Sequence, residues 1–167
     1  RQPIGEIITK VNRDMSFDNK SGMFVTLFCA VLNVKTGEVH YTNAGHNPPM
    51  VIRKGEEPFF LKGHGPNQLV AGFMDDVVYR TDTLRLSPGD TLFLYTDGVT
   101  EAMNPESELY SDERLLVELS GIEDVSGKLP EDLIRTVFRS VRKFAAGAEQ
   151  SDDITMLALR FRGDRTT

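Results

Sequence analysis

Residues 91–98 read Thr-Leu-Phe-Leu-Tyr-Thr-Asp-Gly, a compact apolar segment followed directly by an Asp-Gly pair. Its first five residues are apolar or favour strands, so they predict a short buried strand over 91–95. Asp97 follows that strand, and Gly98 allows the backbone to turn sharply beside it. A carboxylate at the end of a buried strand is held by a rigid sheet, which suits an oxygen ligand for Mg²⁺ or Mn²⁺.

A second acidic site lies about fifty-five residues further along the chain. Asp152 and Asp153 directly precede an apolar stretch that predicts a final strand over 154–161. Asp-Gly is also an ordinary turn dipeptide, and paired aspartates before a strand are often just a solvated loop. The residues alone therefore leave two interpretations open at each site, a metal ligand or a solvated carboxylate.

The remaining sequence predicts short hairpin strands followed by helices. An apolar stripe behind Pro3 predicts a first helix over 3–17. The other predicted helices are 99–103, 111–120 and 130–146, and the other predicted strands are 23–34, 38–42, 50–53, 58–62 and 77–86. Because hairpins with short turns exclude a simple parallel array, we expect an α+β fold in which helices cover a sheet or a sheet pair. One domain over 1–162 with a frayed tail at 163–167 is expected.

Composition narrows the classes of partner. The 167 residues carry a net charge of −6 and are 40% hydrophobic, so a core can form while a nucleic-acid partner is disfavoured. A phosphorylated substrate stays possible, because bound cations can reverse the local field. The longest apolar stretch, residues 23–34, is too short for a membrane span, which needs about 20 residues. Cys29 is the single cysteine, which suits a reducing cytoplasm. Because it lies in an apolar stretch, we expect its side chain to be buried as a small packing residue.

Five segments together resemble one enzyme family in order and spacing. They are Met23–Leu27, Asn43–Pro49, Ser87–Asp90, Tyr95–Ala102 and Ser151–Thr155. The chain resembles, from about residue 3 to 162, the SpoIIE/RsbU-like branch of the metal-dependent serine/threonine phosphatases, the protein phosphatase 2C type. The resemblance implies an antiparallel β-sandwich with helices on both outer faces. It also implies hydrolysis of phosphoserine or phosphothreonine with two divalent cations, Mn²⁺ or Mg²⁺.

The resemblance assigns roles to residues around both acidic sites. It implies that Asp97 and Asp152 are the catalytic metal ligands. Asp153 is the less favoured ligand, and its alternative role is to hold the loop by hydrogen bonds to nearby N–H groups. Gly98 provides the turn beside the metals. Glu101 either supports the metal site or is a carboxylate favoured by the dipole at a helix start.

Two histidines, His46 and His64, lie in predicted loops. His46 could act as a general acid for the leaving group, since histidine titrates near neutral pH. Its alternative role, a ring N–H bond that braces the loop, is favoured because the Asn43–Pro49 motif is not a metal-ligand motif. Gly63-His64-Gly65 is interpreted as a turn with a solvated histidine.

The start of the chain departs from the family pattern. Residues 1–22 contain neither the Gly-Asp motif nor the Asp-x-x-Gly-His-Gly motif that opens the family's domain. We therefore expect the carboxy-terminal portion of the domain, without its first strands and without the aspartate that bridges the two metals. A catalytically silent binding module of the same fold is the alternative function.

The resemblance also implies partners. The expected substrate is a phosphorylated anti-sigma-factor antagonist, and fusion to a sensor or response-regulator module is expected. The helix at 3–17 resembles one that lies near a regulatory switch or dimer contact in this branch, which makes a homodimer possible. Simple packing of its apolar stripe onto the sheet is the favoured interpretation.

Overall fold

The computed structural model describes residues 2–63, 69–122 and 129–163. Its elements are, in order, α1 (Ile4–Ser16), β1 (Leu27–Leu32), β2 (Glu38–Ala44), β3 (Met50–Ile52), β4 (Phe59–Phe60), β5 (Asp82–Arg85), β6 (Thr91–Tyr95), α2 (Asp97–Thr100), α3 (Ser111–Ser120), α4 (Pro130–Ala145) and β7 (Met156–Arg160). They form two compact units. The first is built mainly from Arg1–Pro48 and Lys62–Leu86, and the second from Pro49–Leu61 and Ser87–Arg162.

The first unit is a three-stranded antiparallel sheet covered by a helix. The strands lie in the order β1-β2-β5, and α1 packs against β2. Gly5 allows a close approach here, since a Cβ atom at this position would lie 2.6 Å from the carbonyl oxygen of Tyr79. The buried apolar residues of this unit include Ile4, Ile8, Ala44, Ala71, Val77 and Tyr79. The half-buried Cys29 packs against them from β1.

Helix α1 buries less of its apolar stripe than the sequence predicts. Ile4 and Ile8 are buried, whereas the other members of the stripe, Ile7, Val11 and Met15, are 38–43% exposed. The polar Asn12 is fully buried instead. Its side-chain oxygen accepts a hydrogen bond from Gly72 N at 2.8 Å, and its amide donates to Met74 O at 2.7 Å. These two bonds satisfy the buried amide, so a polar residue belongs to the packed face.

Five strands are shorter than predicted, and two of them, at 23–34 and 77–86, are each six residues shorter. The predicted strand at 77–86 is a strand only over Asp82–Arg85. Before it, threonine hydroxyls form hydrogen bonds with backbone groups that a neighbouring strand would otherwise bond. Tyr79 N donates to Thr9 Oγ1 at 2.9 Å, and Thr42 Oγ1 donates to the carbonyl of Arg80 at 2.8 Å. The predicted strand at 23–34 covers only Leu27–Leu32, since before it only Val25 bridges to another segment.

The second unit is a four-stranded antiparallel sheet with helices packed on it. The strands lie in the order β4-β3-β6-β7, which places β6 in the interior of the sheet, as its apolar sequence predicts. Tyr95 from β6 is 1% exposed, and its hydroxyl donates to Asp112 Oδ1 on α3 at 2.8 Å. The core residues that sheet and helices share include Met50, Ile52, Phe93, Tyr95, Leu115, Leu119, Leu133, Val137 and Val141.

Antiparallel sheets covered by helices confirm the predicted α+β class. Among the helices within the described ranges, none combines the length and the apolarity that a membrane crossing requires.

Candidate functional site

Strands β6 and β7 bring the two acidic segments together. Tyr95 pairs with Met156 in the antiparallel register, so Asp97 and Asp152 emerge at the same end of the strand pair. The backbones touch there. A Cβ atom on Gly98 would lie 3.1 Å from the carbonyl oxygen of Asp152 and 2.8 Å from the carbonyl carbon of Asp153. Only a glycine fits this contact between segments fifty-five residues apart.

Thr96 fastens the two segments to each other. Its N–H donates to Thr155 O at 3.1 Å, and its hydroxyl oxygen accepts from Thr155 N at 3.0 Å. The hydroxyl itself donates to Asp153 O at 3.0 Å. The sequence does not mark Thr96 as a functional residue by itself. The available signal was its place between a buried strand and a candidate ligand, where a hydroxyl can satisfy backbone groups of a neighbouring loop.

Asp97 is the first residue of α2, so this helix begins two residues earlier than predicted. The Asp97 carboxylate is exposed, and its Oδ1 accepts a hydrogen bond from Gly98 N at 3.0 Å. Within the described ranges, Oδ2 accepts no hydrogen bond from protein. One oxygen therefore orients the side chain and the other remains available to a ligand.

Asp152 has a matching arrangement on the opposite segment. Its exposed carboxylate accepts from Asp153 N on Oδ1 at 2.6 Å, and its carbonyl accepts from Gln150 Nε2 at 2.8 Å. Asp153 was expected to hold the loop through its carboxylate. The structure gives that role to the backbone of Asp153, whose side chain makes no hydrogen bond to the part of the chain that is described.

Glu101 lies beside this site but not in the predicted way. It follows the carboxyl end of α2, so the expectation that a helix-start dipole favours its carboxylate is wrong. Its backbone is what links the segments, since its carbonyl accepts from Ser151 Oγ at 3.1 Å. This bond adds a further tie between the α2 turn and the loop that carries Asp152.

His46 belongs to the first unit, whereas the other candidate residues belong to the second. The half-buried imidazole of His46 donates from Nδ1 to the carbonyl of Asn47 at 2.9 Å. The Asn43 side chain closes the loop, because it accepts from His46 N and donates to His46 O, both at 2.8 Å. These bonds agree with the bracing interpretation. His64, its neighbour Gly65 and the predicted frayed residues 164–167 lie outside the described residues.

The donor chemistry at the β6–β7 end suits a hard divalent cation, since both free donors are carboxylate oxygens. Two carboxylates are fewer than such an ion needs. Over residues 2–63, 69–122 and 129–163, no three His, Cys, Asp or Glu side chains lie close enough to hold a metal ion. Asp97 and Asp152 therefore fit part of a metal centre, and further oxygen ligands are needed to complete it.

The chain is similar in sequence to two longer proteins. Protein IcfG of Synechocystis sp. is 34% identical over 137 residues, which are 82% of this chain and 20% of that protein. Phosphoserine phosphatase RsbU of Bacillus subtilis is 27% identical over 156 residues, which are 93% of this chain and 44% of that protein. The chain thus spans less than half the length of either relative.

Solved structures match the fold at lower identity. The SiaA-PP2C domain of Pseudomonas aeruginosa superposes with a TM-score of 0.75 at 23% identity, covering 96% of this chain and 61% of that one. The phosphatase domain of the cell fate determinant SpoIIE from Bacillus subtilis gives 0.67 at 17% identity, covering 96% and 67%. These matches confirm the predicted fold of PP2C phosphatase domains. The stage II sporulation protein E (SpoIIE) family matches residues 1–162, and the chain belongs to that family.

Proposed function

We propose that the end of the β6–β7 pair is part of a two-metal phosphatase centre. In this proposal, Asp97 and Asp152 hold Mn²⁺ or Mg²⁺, and the protein removes phosphate from phosphoserine or phosphothreonine on a partner protein. The observation that carries the proposal is the backbone contact between Gly98 and the 152–153 segment, which brings the two carboxylate-bearing loops together. A relative that carries the name phosphoserine phosphatase supports the reaction class.

In such a centre the cations and the protein have different roles. Divalent cations held there would supply an activated water and would neutralise charge on the phosphoryl oxygens. The part of the chain described here positions the ligands. Thr96 and Gly98 hold the two loops together. Each aspartate accepts a backbone N–H bond on one carboxylate oxygen, and its second oxygen accepts no hydrogen bond within the described ranges.

The finer features of the function are proposals of the same kind. We propose that the substrate is a phosphorylated anti-sigma-factor antagonist, since one matched structure contains the RsbU and RsbW domains of one Mycobacterium tuberculosis protein. We also propose a cytoplasmic protein in which residues 1–162 act as one domain, regulated by a sensor or response-regulator module. A homodimer through α1 belongs to the same proposal.

A direct test compares ligand variants of the full-length protein. Phosphate release from a phosphoserine protein is measured with Mn²⁺, with excess chelator, and in Asp97→Asn and Asp152→Asn. Each substitution is expected to lower the rate at least about 100-fold, because each removes a charged metal ligand. Asp75→Asn and Asp76→Asn, at exposed aspartates of the first unit, serve as matched controls that keep full activity. Equal rates for Asp97→Asn and the unchanged protein would exclude this site.

A catalytically silent binding module is the second candidate. The observation that favours it is the count of ligands, since Asp97 and Asp152 are not joined by a third metal-binding side chain within the described ranges. The same assay separates the two functions. A full-length protein that binds its partner yet releases no phosphate at any Mn²⁺ or Mg²⁺ concentration would establish the silent module.

A further inference from the structure

Helix α4 carries a basic stripe on its exposed face. Arg135, Phe138, Arg139 and Arg142 occur at helical spacing, so they share one side of the helix. All four are exposed, and the ring of Phe138 is 43% exposed. The opposite side of α4 is buried in the second unit through Leu133, Val137 and Val141. The fold therefore needs the buried side, and packing does not explain the stripe.

The charge of the stripe is not neutralised by its surroundings. Within the described ranges, none of the three guanidinium groups forms an ion pair with a carboxylate. Arg142 lies over the exposed ring of Phe138 instead, with 6.0 Å from its Cζ atom to the ring centroid. In a chain of net charge −6, three unpaired arginines around an exposed aromatic ring form a local region of opposite charge.

The stripe ends beside the loop of the proposed metal centre. Arg142 borders a cavity of about 250 Å³ that is also lined by Met103 and Gln150. Gln150 in turn donates from Nε2 to the carbonyl of Asp152 at 2.8 Å. A protein that lies along α4 would therefore extend to the Asp152 loop without leaving this unit.

We infer that this stripe docks an acidic face of the phosphoprotein substrate, an inference that rests on the proposed phosphatase function. Carboxylates of the substrate would pair with Arg135, Arg139 and Arg142, and an apolar side chain between them would cover Phe138. Arginine and aromatic residues are enriched at protein interfaces, whereas lysine is depleted. The docking holds the substrate beside the site and leaves the chemistry to the two aspartates.

The stripe fits a protein better than a long polyanion. Arg135 and Arg142 are seven positions apart, which corresponds to about 10 Å along the helix. Binding to duplex nucleic acid commonly involves about 6–10 phosphate contacts, far more than three arginines provide. The net negative charge of the chain would repel the rest of an extended nucleic acid or an anionic membrane.

The binding test uses a probe that needs neither metal nor turnover. A fluorescein-labelled helical peptide without phosphate carries glutamates at i, i+4 and i+7 around one leucine, and a second peptide has glutamines instead. Fluorescence anisotropy with the full-length protein compares Arg135→Ala/Arg139→Ala/Arg142→Ala with the exposed control set Lys20→Ala/Lys35→Ala/Lys54→Ala. We expect the stripe variant to weaken binding of the glutamate peptide at least about tenfold, since each exposed ion pair contributes roughly a factor of two to five. The control variant and the glutamine peptide should show no such loss.

The kinetic test adds a phosphoserine to the glutamate peptide. In the stripe variant KM for this peptide should rise about tenfold with kcat unchanged, while turnover of p-nitrophenyl phosphate stays the same. Equal KM and equal binding in the stripe and control variants would overturn the inference. Circular dichroism checks the fold, and the charge reversal Arg139→Glu should gain affinity for a lysine version of the peptide. Failure to gain it in a folded protein would also count against the stripe.

Other occupants give distinct results. A dimer in sedimentation that the stripe variant dissociates would assign the surface to a second copy and overturn substrate docking. Tighter binding of duplex DNA or of phosphatidylserine vesicles than of the glutamate peptide would overturn it in favour of a polyanion. If Asp97→Asn keeps full activity while the stripe still binds the glutamate peptide, the proposed metal centre fails and the acidic-protein surface stands.

Discussion

The contact at Gly98 makes a quantitative prediction about the substitution Gly98→Ala. The added Cβ would lie 2.8 Å from the carbonyl carbon of Asp153, closer still to its oxygen, and 3.1 Å from the Asp152 oxygen. Ordinary contact begins near 3.4 Å, so the 152–153 backbone would have to retreat by at least about 0.6 Å. That movement would stretch the 3.0 Å bond from Thr96 Oγ1 to Asp153 O beyond hydrogen-bonding distance.

The expected cost combines overpacking with a lost hydrogen bond. Overpacking costs about 1–3 kcal/mol, and a lost hydrogen bond about 1 kcal/mol, so we expect the free energy of unfolding to fall by about 2–4 kcal/mol. For a chain of this length the melting temperature should fall by about 4–16 °C. Activity in the full-length protein should fall as well, because the loops that carry Asp97 and Asp152 are pushed apart.

The matched control for Gly98→Ala is Gly121→Ala at the end of α3. Gly121 has a φ of −70°, and a Cβ atom there would meet only backbone oxygens at 3.6 Å, an ordinary contact. Urea unfolding of both variants supplies the comparison. If Gly98→Ala is as stable as Gly121→Ala, the two acidic loops are not in contact, and the reasoning that places Asp97 beside Asp152 is refuted.

Two further predictions concern packing and pH. Gly5→Ala should stabilise an isolated helix by about 1 kcal/mol, yet here it should lower the free energy of unfolding by about 1–3 kcal/mol, because the new Cβ would lie 2.6 Å from Tyr79 O; urea unfolding decides the sign. Burial, the hydrogen bond to Asp112 and that residue's charge raise the pKa of Tyr95 far above its usual range. The unfolded chain loses this proton near pH 10, whereas the folded chain keeps it, so the free energy of unfolding should fall above pH 10 by up to about 1.4 kcal/mol per pH unit. Urea unfolding from pH 9 to 11 measures this dependence. In Tyr95→Phe the free energy of unfolding should change less with pH over the same range.

Local sequence predicted three elements of the second unit closely. The observed β6 (Thr91–Tyr95) and α3 (Ser111–Ser120) have the predicted bounds, and α4 ends one residue early, at Ala145. These elements are compact apolar patterns bounded by turn residues or a proline, so their periodicity is sufficient. The predicted strand at 77–86 was too long because strand propensity carries no information about Thr9 and Thr42, whose hydroxyls bond to that backbone from distant segments.

The sequence predicts the carboxylates of the candidate site but not the long-range bonds that hold them together. Carboxylates at strand ends are visible in the sequence, so the closeness of Asp97 and Asp152 could be anticipated. The bonds that create this closeness could not be predicted. Thr96 bonds to residues 57 and 59 positions away, and no periodicity or local propensity records a side-chain bond of that range. The alternative role considered for the Asp153 carboxylate, to accept bonds from nearby N–H groups, is not observed in the described part of the chain; the Asp153 backbone links the loop instead.

The neutral bonds at this site explain how two carboxylates can be held together before any cation binds. Asp97 and Asp152 carry like charges on touching loops, so electrostatics alone favours their separation. Thr96 and Gly98 oppose that separation with uncharged contacts, whose strength does not depend on an ion or on salt concentration. A cation would then meet donors whose spacing is already set, and little of its binding free energy would be spent on ordering the chain. Stability and ligand binding therefore reside in different residues of one short motif, in which the threonine and the glycine hold the geometry and the aspartates carry the charge.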